Sequence, residues 1–380
     1  MLAPRPSDDH AVDPQLPDEG VWLGRVERYG IGPSVVVMRD GEVFEITSRR
    51  APTVRDVLEQ PDPLKFVTSV RGVRIGDVGD LGSSLAWLPP CDLQVIKATF
   101  GNFVEVILGW LAEIRAGSDP CAQREFMAHR RDPITRAFAA HRKGQRLETT
   151  VAALKDQDCW FDELREFLGL DAATLGNRPV LSAIGHAQPV PLSGDWQMAS
   201  SQPEIVLAVN SRGDVLGAAL GNDVSTRPQV SDRLARTYLN KDTLSGCVIG
   251  PMIRLFDGVF TLDDVSDMHL DFQVSAGGKP VFQDRYHLRG MLRSPLDQVT
   301  QVLSSERGFP DGMMLFSGTP FAPCMTQGIG RSHHEVGDRV RISAPMLGAL
   351  ENPVVAAHNC APWRAGISVL MRNLAARELL

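Results

Sequence analysis

From Pro179 onward the sequence breaks into short apolar or alternating runs, "EIVLAVN", "VLGAALG", "HLDFQVSAGG" and "RVRISAPML", each bounded by Gly, Asp or Pro. Period-two alternation interrupted by turn residues is what strands require, and it leaves little room for helices there. "LDQVTQVLSSE" is the late exception and reads as a helix. The chain before Pro179 has a different pattern. "FVEVILGWLAEIRAG" places apolar residues at three- and four-residue intervals and ends on Gly117, a C-cap residue. "RLETTVAALKDQDCWFDELREFLGL" repeats that periodicity and predicts a helical stretch to Gly169. Earlier still, Val35–Met38 and Val43–Ile46 flank Asp40-Gly41, a type I′ hairpin signal, and "TVRDVLEQ" predicts a short helix capped by Thr53. The class is α+β. Residues 1–20 read as a disordered leader, 21–92 as a small β-rich N-terminal domain, and 93–380 as a larger, β-dominated C-terminal domain.

A chain of 380 residues with 43% hydrophobic and 22% charged residues is ordinary for a globular protein. Its net charge of −7 argues against a nucleic-acid surface, which needs clustered cations. The six cysteines are scattered with no C-x-x-C spacing, which suits reduced thiols in a cytoplasmic protein better than disulfides or a zinc site. The polar, Pro-rich N-terminus lacks the apolar core of a signal peptide, and no apolar run reaches the ~18 residues of a membrane span. No G-x-S-x-G elbow, P-loop or dinucleotide fingerprint is present.

Two acids stand out in "SSQPEIVLAVNSRGDVLGAALGNDVSTRP". Glu204 heads one apolar run, and Asp223 follows the next in a Gly-Asn-Asp turn. They lie nine residues before and ten after Gly213, so a hairpin turning at Gly213 brings both to one mouth, with Gln202 beside them. Gathered oxygen ligands are what a hard divalent cation requires; a capping Asp and a solvated Glu are the plainer alternative. Lys241 follows eighteen residues beyond Asp223. Near a cation it could serve as an acid or base; as an exposed loop lysine it would do nothing. Gly318-Thr319 ends an apolar strand and offers either a carboxylate cradle or an ordinary ST-turn. His333 and His334 read as surface or loop histidines, and Cys247 as a core thiol.

Gln202-x-Glu204, Gly221-Asn222-Asp223, Lys241 ahead of Gly250-Pro251, and Gly318-Thr319 together resemble the fumarylacetoacetate hydrolase superfamily. Over nearly the whole chain the likeness is greatest to its 2-keto-3-deoxy-pentonate dehydratases, such as those acting on 2-keto-3-deoxy-D-xylonate. It includes "PTVRDVLE", "DLQVIKA", "ALGNDV", "IGPMIRLFD", "FPDGMMLFSGTPFAP" and "GISVLMRNLAARELL". The resemblance implies a small β-rich N-terminal domain on a mixed β-sandwich roll with flanking helices, assembled as a homodimer. It implies Mg²⁺, or Ca²⁺ or Mn²⁺, held by Gln202, Glu204 and Asp223, with Lys241 catalytic. Asn222, Arg227, Gly318, Thr319 and Phe103 would then contact a small carboxylate substrate. The implied reaction is a lyase step, loss of water from a 2-oxo acid through a metal-stabilised enolate.

Three departures qualify that expectation. Gln202 stands where the family has a Glu, which removes one charge and weakens cation binding. Ala173–Asn177 occupies a segment where related dehydratases carry an acid and a lysine, with Asp171 a nearby substitute. Val106 and Gly109 replace a His and a Glu that hydrolytic members use to activate water, which counts against C–C bond hydrolysis. Glu105 in the same segment is either a mouth acid or an exposed helix-start acid. The lost acid and altered ligand leave two alternatives open. One is a repurposed enzyme of isomerisation, cyclisation or elimination in a biosynthetic pathway; the other is a catalytically silent partner subunit.

Overall fold

The computed structural model describes residues 13–79, 85–117, 119–142, 146–164, 175–192, 196–228, 246–305, 308–322, 331, 333–364 and 366–380. Asp40 and Gly41 take φ of 51° and 75°, the left-handed pair that a two-residue hairpin needs. They join β2 (Gly32–Arg39) to β3 (Glu42–Glu45), and β2 pairs along its length with β1 (Trp22–Arg28). Thr53 caps α1 (Val54–Leu58) in a capping box with Asp56. Buried Asp92 accepts from the Val54 and Arg55 N–H groups as well. Asp62 caps α2 (Pro63–Ser69). β4 (Val73–Asp77) and β5 (Leu85–Leu88) complete this region, and β1 runs on against β13 (Cys247–Leu255).

The larger sheet of the described residues continues from β13 through β11 (Val215–Asp223), β10 (Pro203–Val209), β16 (Met313–Phe316) and β6 (Val95–Thr99) to β7 (Leu175–Arg178). In a flat sheet β7 would lie about 19 Å from β11, four strand spacings away. Yet Arg178 Nη2 sits 2.7 Å from Asp223 Oδ1, so the sheet curls until its far strand faces its middle. The backbone just after β7 returns onto β13 as well. Ile184 N–H donates to Cys247 O, and Ile249 N–H donates to Ile184 O. Strand alternation then gives the sheet two apolar faces. Ile96, Val206, Ala208, Ala219, Ile249 and Phe316 share the inner core with α1, whereas Ile205, Leu207, Val209 and Leu220 face the opposite side.

A second sheet covers that opposite side, in the order β15 (Lys279–His287), β14 (His269–Ala276), β17 (Asp338–Ala344), β18 (Gly348–Ala356) and β8 (Val190–Leu192). In β14 Leu270, Phe272 and Val274 are buried and alternate with half-buried residues, the pattern of a strand packed on one face. A two-stranded pair, β9 (Trp196–Ser200) and β12 (Ser225–Pro228), stands beside the β10–β11 hairpin. The helices α3 (Val104–Ala116), α4 (Pro120–Ala128), α5 (Arg131–Arg142) and α6 (Leu147–Asp156) share a core of their own. Later come α7 (Leu262–Asp267), α8 (Pro295–Ser305) and α9 (Ile367–Ala376). This is the α+β sandwich roll with flanking helices that the sequence implied.

Two local expectations need correcting, and the reading of Glu105 as a helix-start surface acid is the one that holds. The helical stretch expected to run to Gly169 is interrupted after Asp156, because Asp158 takes a φ of 51° that no α-helix tolerates, and residues 165–169 lie outside the described residues. Gly221-Asn222-Asp223 is not a turn but the extended end of β11, held there by Val248 and Cys247 of β13. Glu105 is a surface-pair acid, 3.1 Å from Arg131 of α5. No described helix is long and apolar enough to cross a membrane.

Candidate functional site

The register of β10 and β11 places Glu204 opposite Gly221 and Pro203 opposite Asn222, and Asp223 N–H donates to Gln202 O. Residues 202, 204, 221 and 223 therefore share one face at one end of the hairpin. Glu204 is 2% exposed and Asp223 4% exposed, so neither is a solvated acid. Gln202 beside them is half-buried. Burial of this kind requires a partner for each charge, and the chain supplies one from each side.

Glu204 Oε2 accepts from the Gly318 backbone N–H at 2.7 Å. Gly318 follows β16 with a φ of +84°, a left-handed conformation that suits glycine and turns its N–H toward the acid. Ser317 before it is pinned to Ile205 O through both N–H and Oγ, and Asn102 Nδ2 holds Ser317 O. Asp223 Oδ1 accepts from Arg178 Nη2. Burial opposes the charge on Arg178, but Asp223, followed by Cys247 and Glu204, holds its pKa above the ordinary guanidinium value.

Asn222 points the other way and braces the hairpin. Its Oδ1 accepts from Gln202 N–H at 3.0 Å, and its Nδ2 donates to Ser201 Oγ at 2.7 Å. Ser201 Oγ in turn lies 2.8 Å from His334 Nε2. His334 does lie in a loop, but the expectation of a surface position is wrong: the residue is 4% exposed, and burial pushes its pKa down to about 4. His333 stays half-exposed.

Thr319 Oγ1 accepts from Phe321 N–H at 3.1 Å, the ST-turn of the two readings offered for it. Phe103 is 1% exposed and caps α3 within the apolar core. Arg227 lies in β12 opposite Met198, with its side chain outside the described residues. Lys241, Asp171 and Ala173 also lie outside the described residues. Cys247 is buried opposite Asp223.

Gln202, Glu204 and Asp223 offer hard oxygen donors, which suit Mg²⁺ in type. The charge is less suitable. Only two of the three are acids, a guanidinium is already on one of them, and no cluster of three His, Cys, Asp or Glu occurs among the described residues. Arg178 was missed in the sequence, although a signal existed: it directly follows Ala173–Asn177, the segment where an acid and a lysine were sought.

Residues 171–355 match the family model described as Fumarylacetoacetate (FAA) hydrolase C-terminal. The chain is 25% identical over 174 residues to 2-dehydro-3-deoxy-D-arabinonate dehydratase of Saccharolobus solfataricus, a stretch covering 45% of this chain and 54% of that protein. It is 26% identical over 164 residues to a probable 2-keto-3-deoxyxylonate dehydratase of Haloferax volcanii, covering 42% and 52%. The matched stretch thus spans about half the length of these relatives. Among solved structures, 2-keto-3-deoxy-D-arabinonate dehydratase complexed with magnesium and 2,5-dioxopentanoate superposes with a TM-score of 0.59 at 17% identity, covering 88% of this chain and 99% of that one. A 5-carboxymethyl-2-hydroxymuconate delta-isomerase from Mycobacterium smegmatis superposes at 0.52 with 20% identity, covering 88% and 98%. At such identities these two establish a shared fold. The sequence matches alone carry the family: residues 171–355 of this chain resemble the C-terminal domain of the fumarylacetoacetate hydrolase superfamily.

Proposed function

We propose that the chain is a divalent-cation-dependent lyase acting on a small 2-oxo carboxylate, of the kind that loses water from a 2-keto-3-deoxy sugar acid. The observation that carries this reading is the pair of buried acids, Glu204 and Asp223, on one face at one end of the β10–β11 hairpin. Curated relatives named as dehydratases of such acids support it, as does a structural neighbour that holds magnesium.

Mg²⁺ bound by Gln202, Glu204 and Asp223 would supply Lewis-acid polarisation of the 2-oxo group. The remaining work falls to the chain. Gly318 N–H fixes the rotamer of Glu204, and Arg178 fixes that of Asp223. Asn222 holds the backbone at 202 so that its amide side chain stays beside the two acids. Burial keeps bulk water from these charges and so strengthens whatever they hold. Lys241 Nζ is the proposed group that removes the C3 proton, the step that must precede loss of a C4 hydroxyl.

A second reading, an isomerisation, cyclisation or other elimination in a biosynthetic pathway, draws support from Gln202 and the absent acid at Ala173–Asn177. Both readings keep the same cation site and differ in what becomes of the enolate: loss of the C4 hydroxyl as water in the first, reprotonation, ring closure or another elimination in the second. The test is to assay the purified chain with Mg²⁺ against 2-keto-3-deoxy-pentonates. Turnover is expected, and Glu204→Gln or Asp223→Asn should cut it by on the order of a hundredfold or more. Reaction of another 2-oxo acid with no turnover of any pentonate, in a folded protein, would move the assignment to the second reading. No reaction of any 2-oxo acid tried would remove both.

A further inference from the structure

A pair of histidines on the solvent side of the second sheet has no part in the lyase reading. His269 opens β14 and His287 closes β15, and the register sets them directly opposite each other. Leu270, Phe272 and Val274 are buried in the core, so alternation turns His269 and Asp271 to the other face, with His287 and Arg285 across from them. His269 is half-buried and His287 exposed. Opposite residues on one face keep their Cβ atoms about 5 Å apart. Here the two imidazole rings stand with centroids 6.0 Å apart, tilted by 58°. Two imidazoles that share one metal ion, each through a nitrogen about 2 Å from it, hold their centroids roughly 5–6 Å apart. The pair is already at that spacing.

The surroundings hold this geometry. Leu288 N–H donates to Met268 O, closing the ladder one residue beyond the pair, and both residues are buried. Arg285 grips Asp271 through both carboxylate oxygens, at 2.6 and 3.1 Å, and Arg289 grips Asp267 at the end of α7 in the same way. Asp271 Oδ2 lies 3.8 Å from His269 Nε2, and Asp267 stands close enough to His287 to feel its charge. Among the described residues no group of three His, Cys, Asp or Glu is arranged to hold a metal ion, so the chemistry here is that of two imidazoles. Nitrogen donors of this kind favour Zn²⁺, Ni²⁺ and Cu²⁺, whereas Mg²⁺ prefers oxygen.

We propose that His269 and His287 form a transition-metal site, in which one Zn²⁺, Ni²⁺ or Cu²⁺ ion bridges the last rung of the β14–β15 ladder. The two imidazoles are its protein ligands, and water fills the remaining positions. The ion ties β15, at the edge of the second sheet, to its neighbour. Binding to the folded chain alone raises stability, so the site makes this edge responsive to metal. It shares no residue with the cluster at 202, 204 and 223, and it stands whether or not the chain is a lyase.

The test is calorimetric titration of the untagged full chain with Zn²⁺ in the presence of excess Mg²⁺. It is repeated on the double variant His269→Gln, His287→Gln, and on a control, His129→Gln with His358→Gln, which removes two exposed histidines elsewhere. The unaltered chain and the control should bind Zn²⁺ alike. The double variant should bind on the order of a hundredfold more weakly, because the second imidazole acts as an intramolecular ligand. Electron paramagnetic resonance with substoichiometric Cu²⁺ should show two nitrogen ligands in the unaltered chain and one in either single variant. Equal Zn²⁺ affinity in the double variant and the unaltered chain would overturn the site, and so would a loss confined to the control. Should the double variant fail to fold, the resonance of the unaltered chain decides: coordination by one nitrogen or none refutes the proposal.

Discussion

At Gly221 a methyl group would fall on Val206 Cγ2 and come within 2.6 Å of Phe316 Cε1. Both neighbours are fully buried and belong to the inner core, so neither can move aside cheaply. Gly221→Ala should therefore destabilise the chain by about 2–3 kcal/mol, read by urea unfolding. Because Gly221 sits opposite Glu204, the strain falls on the site, and Mg²⁺ binding should weaken along with stability. His334 yields a prediction in pH. Asp338, Arg331 and His333 face it, with Asp338 favouring its charge and the other two opposing it, but burial dominates. Its folded pKa of about 4 lies below the ordinary value of 6.5. Between those two values the unfolded chain takes up a proton that the folded chain refuses, so this contribution is present above pH 6.5 and is lost as pH falls toward 4. The loss amounts to about 3 kcal/mol. His334→Gln keeps an acceptor for Ser201 Oγ and should flatten that part of the stability profile. An unchanged slope would mean the histidine is charged when folded.

At the scale of elements, legibility followed sequence distance. The β10–β11 hairpin was readable because its apolar runs and Gly213 lie in one continuous stretch, and that alone brings positions 202, 204 and 223 to one mouth. The capping of α1 by Thr53 was readable for the same reason. The contact between Arg178 and Asp223 was not: β7 is four residues long, its partner lies 45 residues on, and the two meet only because the sheet curls. The bond from His334 to Ser201 spans 133 residues and escaped for the same cause. Asp223 was misplaced in a turn because Gly-Asn-Asp is turn-prone locally, whereas pairing with β13 keeps it extended. Asp92 is another case of distant support. It holds the first N–H groups of α1 at 2.7 and 3.1 Å and lies 3.6 Å from Arg25, with both side chains almost fully buried. Asp92→Ala strips the helix of its second cap and leaves Arg25 without its acid. It should cost about 3 kcal/mol or more, with Asp92→Asn falling between, measured by thermal or urea unfolding.

For the whole molecule, the question is what keeps β7 folded over so that Arg178 can face Asp223. Pairing with β6 fixes one edge of β7, and the Ile184 bridge to β13 fixes the segment beyond it. The C-terminal helix α9 supplies the third restraint. Leu370 and Leu374 pack on Leu181, and Trp363 Nε1 donates to Leu181 O. On its other side the same helix is tied to the first hairpin, where Asn373 Nδ2 donates to Ile31 O and Arg377 pairs with Glu45. The last twenty residues thus clamp the segment carrying Arg178 against the strands at the start of the chain. Each buried leucine removed from this clamp should cost about 2–4 kcal/mol. In Leu374→Ala, hydrogen exchange at the Ile184 and Ile249 amides should quicken, because their bonds to Cys247 O and Ile184 O close the curl. Amides of Phe272 and Val274 in the second sheet, which belong to a different apolar cluster from Leu374, should keep their protection. Uniform acceleration in both sheets would mean that the clamp stabilises the fold as one unit and does not set the geometry of the site.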